Sequence, residues 1–189
     1  NGLNPAFIAS LRNLIKPMNV PVTPEIFITG REVGEAYTKA VEMILANPDL
    51  SKFKYLLTIE HDNIIPFLPG TLGPLMMLYE NMDKYDVVGG LYYLKGEPPT
   101  PLIYGDPKDS KDSKAGMFKV RYDWQSGDIV ECNGMGCGFT LFKLDIFKDK
   151  RLKKPYFKTV NEHSKKGPKL YTQDLFFFEK IRKLGYRVA

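Results

Sequence analysis

Between residues 33 and 60 the apolar residues change period, and this change restricts the fold more than any other feature of the chain. Val33, Ala36, Tyr37, Ala40, Val41, Ile44 and Leu45 fall on one face of a helix, which ends near Asn47-Pro48. KYLLTIE (54–60) follows, a contiguous apolar run that suits a buried strand. The same alternation appears elsewhere. Asn4-Pro5 is a helix start, with a capping amide before a proline at the first helical position, and Ile8, Leu11, Leu14 and Ile15 line one face before Pro17. PEIFITG (24–30) reads as a strand. Residues 69–82 read as a helix, DVVGGLYYL (86–94) as a strand, FTLFKLDIF (139–147) as a strand running into a short helix, and TQDLFFFEKIRKLG (172–185) as a helix capped by Thr172. Short strands are expected near 117–122 and 128–132, and YRVA opens a last one. Strands alternating with helices predict an α/β fold, with a sheet covered on its faces. No internal repeat and no interdomain linker is visible, so residues 1–189 are expected to form a single domain.

Composition excludes several classes. Apolar residues make up 43% of the chain and aromatics 13%, which places it among folded globular proteins rather than disordered ones. No apolar run reaches the ~18 residues of a membrane span, and the first residues do not have the pattern of a signal peptide. Two cysteines, Cys132 and Cys137, are too few for a disulfide scaffold or a four-cysteine zinc site, so reduced thiols in a cytoplasmic protein are expected. The net charge is +5, with much of the excess in KDKRLKKP (148–155) and HSKKGPK (163–169). These tracts fit a solvated loop or an anionic partner; no recognition-helix or zinc-finger pattern points to nucleic acid. EPPTPLIYGDPKDSKDSKAG (97–116) reads as an exposed loop, and the basic segment 148–170 as another.

The strand 54–60 ends in Glu60, His61 and Asp62. Ligands of open α/β sheets bind outside the carboxyl ends of the strands. In an extended chain, side chains two apart point to the same side, so Glu60 and Asp62 would share one. Two carboxylates aimed at one point suit a hard divalent ion such as Mg2+ or Mn2+, whose shell is completed by phosphates. His61 would then point away from the pair. NGMGCG (133–138) places Gly134, Gly136 and Gly138 at alternate positions, either to bring backbone close to a ligand or as an ordinary turn. Gln173 and Asp174 open a helix, where a carboxylate is favoured by the dipole or simply caps. Gly89-Gly90 inside a strand marks a bulge or a close backbone approach.

In this order the motifs resemble those of the GT-A nucleotide-sugar glycosyltransferases, especially the family-2-like group. The resemblance runs from an E-x-D after a hydrophobic strand, through GGLYY and a glycine-rich turn, to a T-x-D helix followed by GYRV. It implies a Rossmann-like domain with a mixed, mostly parallel central sheet flanked by helices. It implies a chain beginning after that family's first strand and ending before its C-terminal elements. Glu60 and Asp62 match the D-x-D element, in which Asp62 binds Mn2+ or Mg2+ and Glu60 lies at the metal or the ribose. Asp174 matches the general base for the acceptor hydroxyl. Gly136 and Gly138 match the turn lining the sugar pocket, and Gly89 and Gly90 would lie near the donor sugar. Gln173 stands where the family usually has Glu. The implied partners are a UDP- or GDP-sugar donor and an acceptor of unknown class. The implied activity is metal-dependent, inverting hexosyl transfer. A non-catalytic sugar-binding or nucleotide-sugar-binding module on the same scaffold is the alternative. A phosphohydrolase is a third reading, weakened by Glu60 and Ile64 at key positions of the usual D-x-D-x-T/V motif.

Overall fold

A computed structural model describes residues 3–67, 70–108, 118–164 and 167–189. In chain order the elements are α1 (Pro5–Arg12), α2 (Val33–Ala46), β1 (Tyr55–Ile59), α3 (Pro74–Glu80), β2 (Val87–Gly89), β3 (Tyr93–Leu94), β4 (Thr100–Pro101), β5 (Ile103–Tyr104), β6 (Gly134–Met135), β7 (Phe139–Lys143), α4 (Asp145–Lys148), β8 (Val160–Ser164), β9 (Gly167–Tyr171) and α5 (Gln173–Lys183). The helix starts follow local chemistry. Asn4 Oδ1 accepts the Ala6 N–H at 2.9 Å ahead of Pro5. Glu32 caps α2 through the Glu35 N–H, and Thr172 caps α5 through the Leu175 N–H.

The expected mostly parallel Rossmann-like sheet does not form. The largest sheet has three strands in the order β1-β7-β2, and both of its ladders are antiparallel. Tyr55 lies opposite Lys143, Ile59 opposite Phe139, and Val87 opposite Phe142. The pairs β3-β4, β5-β6 and β8-β9 are separate antiparallel ladders. Parallel pairing among the described residues is limited to one bridge, Val87 to Val188. The physical reason is that β7 inserts between β1 and β2 and takes the inner ladder positions of both. Residues 24–30 enter no strand, and Ile26 and Phe27 stay exposed. The stretches 118–122 and 128–132 contribute a single bridge, Tyr104 to Val120. The supposed basic loop contains the β8-β9 hairpin. Residues 109–117, most of the second half of the loop expected at 97–116, lie outside the described residues, as does Pro69, the first residue of the helix expected at 69–82.

Alternate residues of the three-stranded sheet pack into two separate cores. Val87 and Phe142 face α2 and α5, joining Val41, Ile44, Phe147, Phe157, Phe177 and Ile181. Val88, Phe139 and Leu141 face α3, joining Leu75, Leu78 and Met82. The Phe177 ring stacks on Phe157 at 4.5 Å and on Phe147 at 5.4 Å, and meets Phe142 edge-on at 5.7 Å. Burying one such ring contributes about 1.5–3 kcal/mol, and aromatic pairs add about 0.5–1.5 kcal/mol beyond area. This aromatic block fixes the first turns of α5 against the sheet, and with them Asp174.

Candidate functional site

The site gathers where β1 ends, around the turn between β6 and β7 and the first turn of α5. Glu60 continues the strand by one backbone bond, its N–H donating to the Gly138 carbonyl at 2.8 Å. The chain then turns sharply. Asn63 N–H donates to the Glu60 carbonyl at 3.0 Å, with His61 and Asp62 at the turn. The two acids therefore do not share one side of an extended strand. Glu60 turns inward, and its Oε1 accepts from the Tyr37 hydroxyl of α2 at 2.9 Å. Asp62 turns outward, its side chain half-exposed, with Lys95 Nζ at 3.6 Å. His61 is exposed.

The Cys137 carbonyl is a second focus. It accepts from Tyr37 at 3.0 Å and from Thr58 Oγ1 at 2.7 Å. The Cys137 thiol and N–H both donate to the Asp174 carboxylate. Asp174 Oδ1 is sealed from solvent and has no hydrogen-bond partner. Burial raises the Asp174 carboxyl to about 7, the charge of Glu60 pushes the same way, and the Cys137 hydrogen bonds oppose both. The helix-start dipole favours the charged form, but desolvation is the larger effect. Burial also raises Glu60, aided by Asp62 and opposed by the Tyr37 hydrogen bond.

The glycines have packing roles. A Cβ at Gly136 would run into the Tyr92 hydroxyl, and one at Gly138 into the Asn63 amide, with Tyr92 Oη at 2.8 Å. The Gly138 N–H donates to Tyr92 Oη at 2.7 Å and the Gly136 N–H to the Leu102 carbonyl at 3.1 Å, so both amides are taken by protein acceptors. A Cβ at Gly89 would meet Met135 Sδ, and one at Gly90 would lie 2.7 Å from Phe139 Cδ1. That pair lets β2 lie close to β6 and β7 within the core. Gln173 faces Thr159, whose hydroxyl lies 3.5 Å from Gln173 Oε1 and donates to Glu32 at 2.6 Å. Several basic side chains of 148–155 pair locally, Lys148 with Asp145, Arg151 with Asp149 and Lys154 with Glu42.

Among the described residues no group of three or more His, Cys, Asp or Glu side chains is placed to hold a metal ion. Mg2+-type sites need only one or two carboxylates when substrate phosphates supply the rest. Asp62 meets that requirement, being half-exposed and opposed by one flexible lysine. Glu60 stands behind it, one oxygen already engaged by Tyr37.

Tyr37, Tyr92, Asn63 and Cys137 belong to the site although the sequence does not mark them as functional. Tyr37 sits in the apolar stripe of α2, and its polar end carried the only signal: a phenol in a buried stripe needs a partner.

No family model matches the chain, and no curated protein matches it. Among solved structures it is similar to the crystal structure of A197 from STIV, with a TM-score of 0.50 and 22% identity. The likeness covers 84% of this chain and 63% of that one, so the chain spans less than two thirds of the structure it matches. At this identity the likeness is one of fold. No described helix is long and apolar enough to cross a membrane.

Proposed function

We propose that the chain transfers a sugar from a nucleotide-diphosphate sugar to an acceptor hydroxyl, with Asp174 as the proton acceptor. The observation that carries this reading is the Asp174 carboxyl. It is fixed at a helix start, buried beside Glu60, and raised to about 7. A general base works best with such a value near working pH. As the acceptor oxygen bonds to the anomeric carbon, its proton passes to Asp174, and the bond to the diphosphate breaks with its electron pair leaving on the phosphate oxygen. Attack in line with the leaving group inverts the centre. A divalent ion supplies neutralisation of the departing diphosphate, and Asp62 would hold it. Tyr37 keeps Glu60 inward, where its charge helps to hold the Asp174 carboxyl high.

The test compares wild type with Asp174→Asn, using UDP- and GDP-sugars with Mn2+, for binding by calorimetry and for transfer. Transfer should fall by about 10²–10⁴-fold while nucleotide binding is kept. Full transfer by the variant would sink the reading. One observation favours a second reading, a binding module without turnover: Asp174 Oδ1 is sealed from solvent. That reading calls for metal-dependent donor binding in both proteins and transfer in neither.

A further inference from the structure

From Leu91 to Pro99 every residue is exposed except Tyr92. The backbone here is tied down. The Tyr92 carbonyl accepts the Leu102 N–H at 2.9 Å, and Tyr93 and Leu94 pair with Pro101 and Thr100. The Tyr92 side chain reaches inward over the glycine turn. Its hydroxyl accepts the Gly138 N–H at 2.7 Å, and among the described residues it makes that one hydrogen bond. A Cβ at either Gly136 or Gly138 would strike the hydroxyl, so the room left by two absent side chains is where the phenol lies. Cys137 stands between those glycines, and its thiol and N–H hold the Asp174 carboxylate. Burial raises the Tyr92 hydroxyl, and the charges of Asp174 and then Glu60 push it the same way, which places both acids close to it. Asp174 Oδ1 itself is sealed from solvent and unpartnered.

We infer that the Tyr92 phenol is a plug, occupying at the Gly138 N–H the place that the oxygen of an acceptor hydroxyl takes in order to reach Asp174. This rests on the reading of the cluster as a sugar-transfer site. A general base must come within hydrogen-bond reach of the hydroxyl it deprotonates, and a sealed Oδ1 offers no such reach. The phenol already presents what an acceptor would present, an oxygen that accepts from the amide beside two carboxyls. The exchange is therefore like for like. The incoming oxygen takes over the Gly138 N–H, and no buried donor is left unpaired. The backbone need not move, because rotation about the Tyr92 side-chain bonds between staggered positions carries the phenol out. An acceptor then draws the protein into an open arrangement that is otherwise a minor one. Until it does, the base is shielded, and water is not activated against the donor sugar.

The experiment reads the accessibility of Asp174 directly. The full chain is labelled with a water-soluble carbodiimide and glycine ethyl ester, and peptide mapping follows Asp174, with the half-exposed Asp62 as the internal reference. Wild type, Tyr92→Phe and Tyr92→Ala are compared at one pH, with circular dichroism to check folding. In wild type Asp174 should label far more slowly than Asp62. Tyr92→Phe should speed it by about fivefold, the loss of one hydrogen bond. Tyr92→Ala should speed it by roughly 10–10³-fold, since a minor open form is of the order of 0.1–10% populated. Labelling of Asp174 as fast as Asp62 in wild type, or a shielded Asp174 in a folded Tyr92→Ala, would overturn the plug. If Tyr92→Ala does not fold, Tyr92→Phe decides alone, and an unchanged rate overturns it. The labelling needs no transfer. If the variants gain labelling while none of the three proteins transfers sugar, the plug stands and the transfer reading fails. If wild type transfers sugar and labelling is the same in all three, the transfer reading stands and the plug fails.

Discussion

The Tyr37 hydroxyl donates to Glu60 Oε1 at 2.9 Å, and the same hydroxyl lies 3.0 Å from the Cys137 carbonyl oxygen. One phenol proton thus serves two part-buried acceptors, and α2, the end of β1 and the glycine turn meet at one point. Tyr37→Phe keeps the ring packed on Phe157 at 5.0 Å but takes a donor from the part-buried Glu60 carboxyl and leaves the Cys137 carbonyl with Thr58 alone. It should cost about 1–3 kcal/mol in urea denaturation. A cost near zero would mean that water replaces the hydroxyl.

Asp174 sets a pH dependence whose sign is fixed by its direction. Its folded value, about 7, lies above its ordinary value of 3.8. The native state therefore holds this proton more tightly than the unfolded chain, and stability falls as pH rises between those values. Asp174→Asn should change Tm little at pH 4 and raise it, relative to wild type, at pH 8. The expected gain at pH 8 is on the order of 1–3 kcal/mol. A difference independent of pH would mean that the carboxyl is solvated in the native protein.

Gly136 and Tyr92 are coupled by shape. A methyl group at Gly136 would displace the Tyr92 ring and with it the bond from the Gly138 N–H. Gly136→Ala alone should cost about 1–3 kcal/mol. In a Tyr92→Ala background the same change should cost far less, which a double-mutant cycle reads directly. Additive costs would show that the glycine is required by the backbone rather than by the tyrosine.

Both thiols are buried, and burial raises both, Cys132 to about 12 and Cys137 well above its ordinary value. At pH 8 neither is a thiolate, so neither should react quickly with a disulfide reagent in the native protein. Denaturant should release two equivalents. Fast labelling of one thiol in the native state would show that its surroundings open on the timescale of the reaction.

The parts of the site that sequence made legible are those fixed locally. A contiguous apolar run ending in Glu60 announces a strand end, and Thr172 two residues before Asp174 announces a helix start. What joins them was not legible, because Tyr37 reaches Glu60 and Cys137 across long separations that no local period records. The expectation that Glu60 and Asp62 point to one side of an extended chain does not hold, because the strand ends in a turn closed by the Asn63 N–H. The parallel sheet failed for a related reason. Alternation at Val87, Val88, Phe139 and Leu141 says that strands exist and which faces they bury, but it is silent on direction. Residues 24–30 have the composition of a strand yet pair with none, since composition cannot supply a partner.

The central place of β7 has a consequence for the order in which the chain takes shape. β1 and β2 are both completed before residue 90, yet each has its ladder with residues 139–143. A nascent chain that stops short of Phe139 has neither ladder, and its apolar strands stand open to aggregation or to a chaperone. Glu60 and Asp174 come together later still, because Asp174 follows in α5. Contacts this distant in sequence are slow to close. The Glu60–Asp174 cluster thus waits on α5, long after the strand that carries Glu60 has left the ribosome.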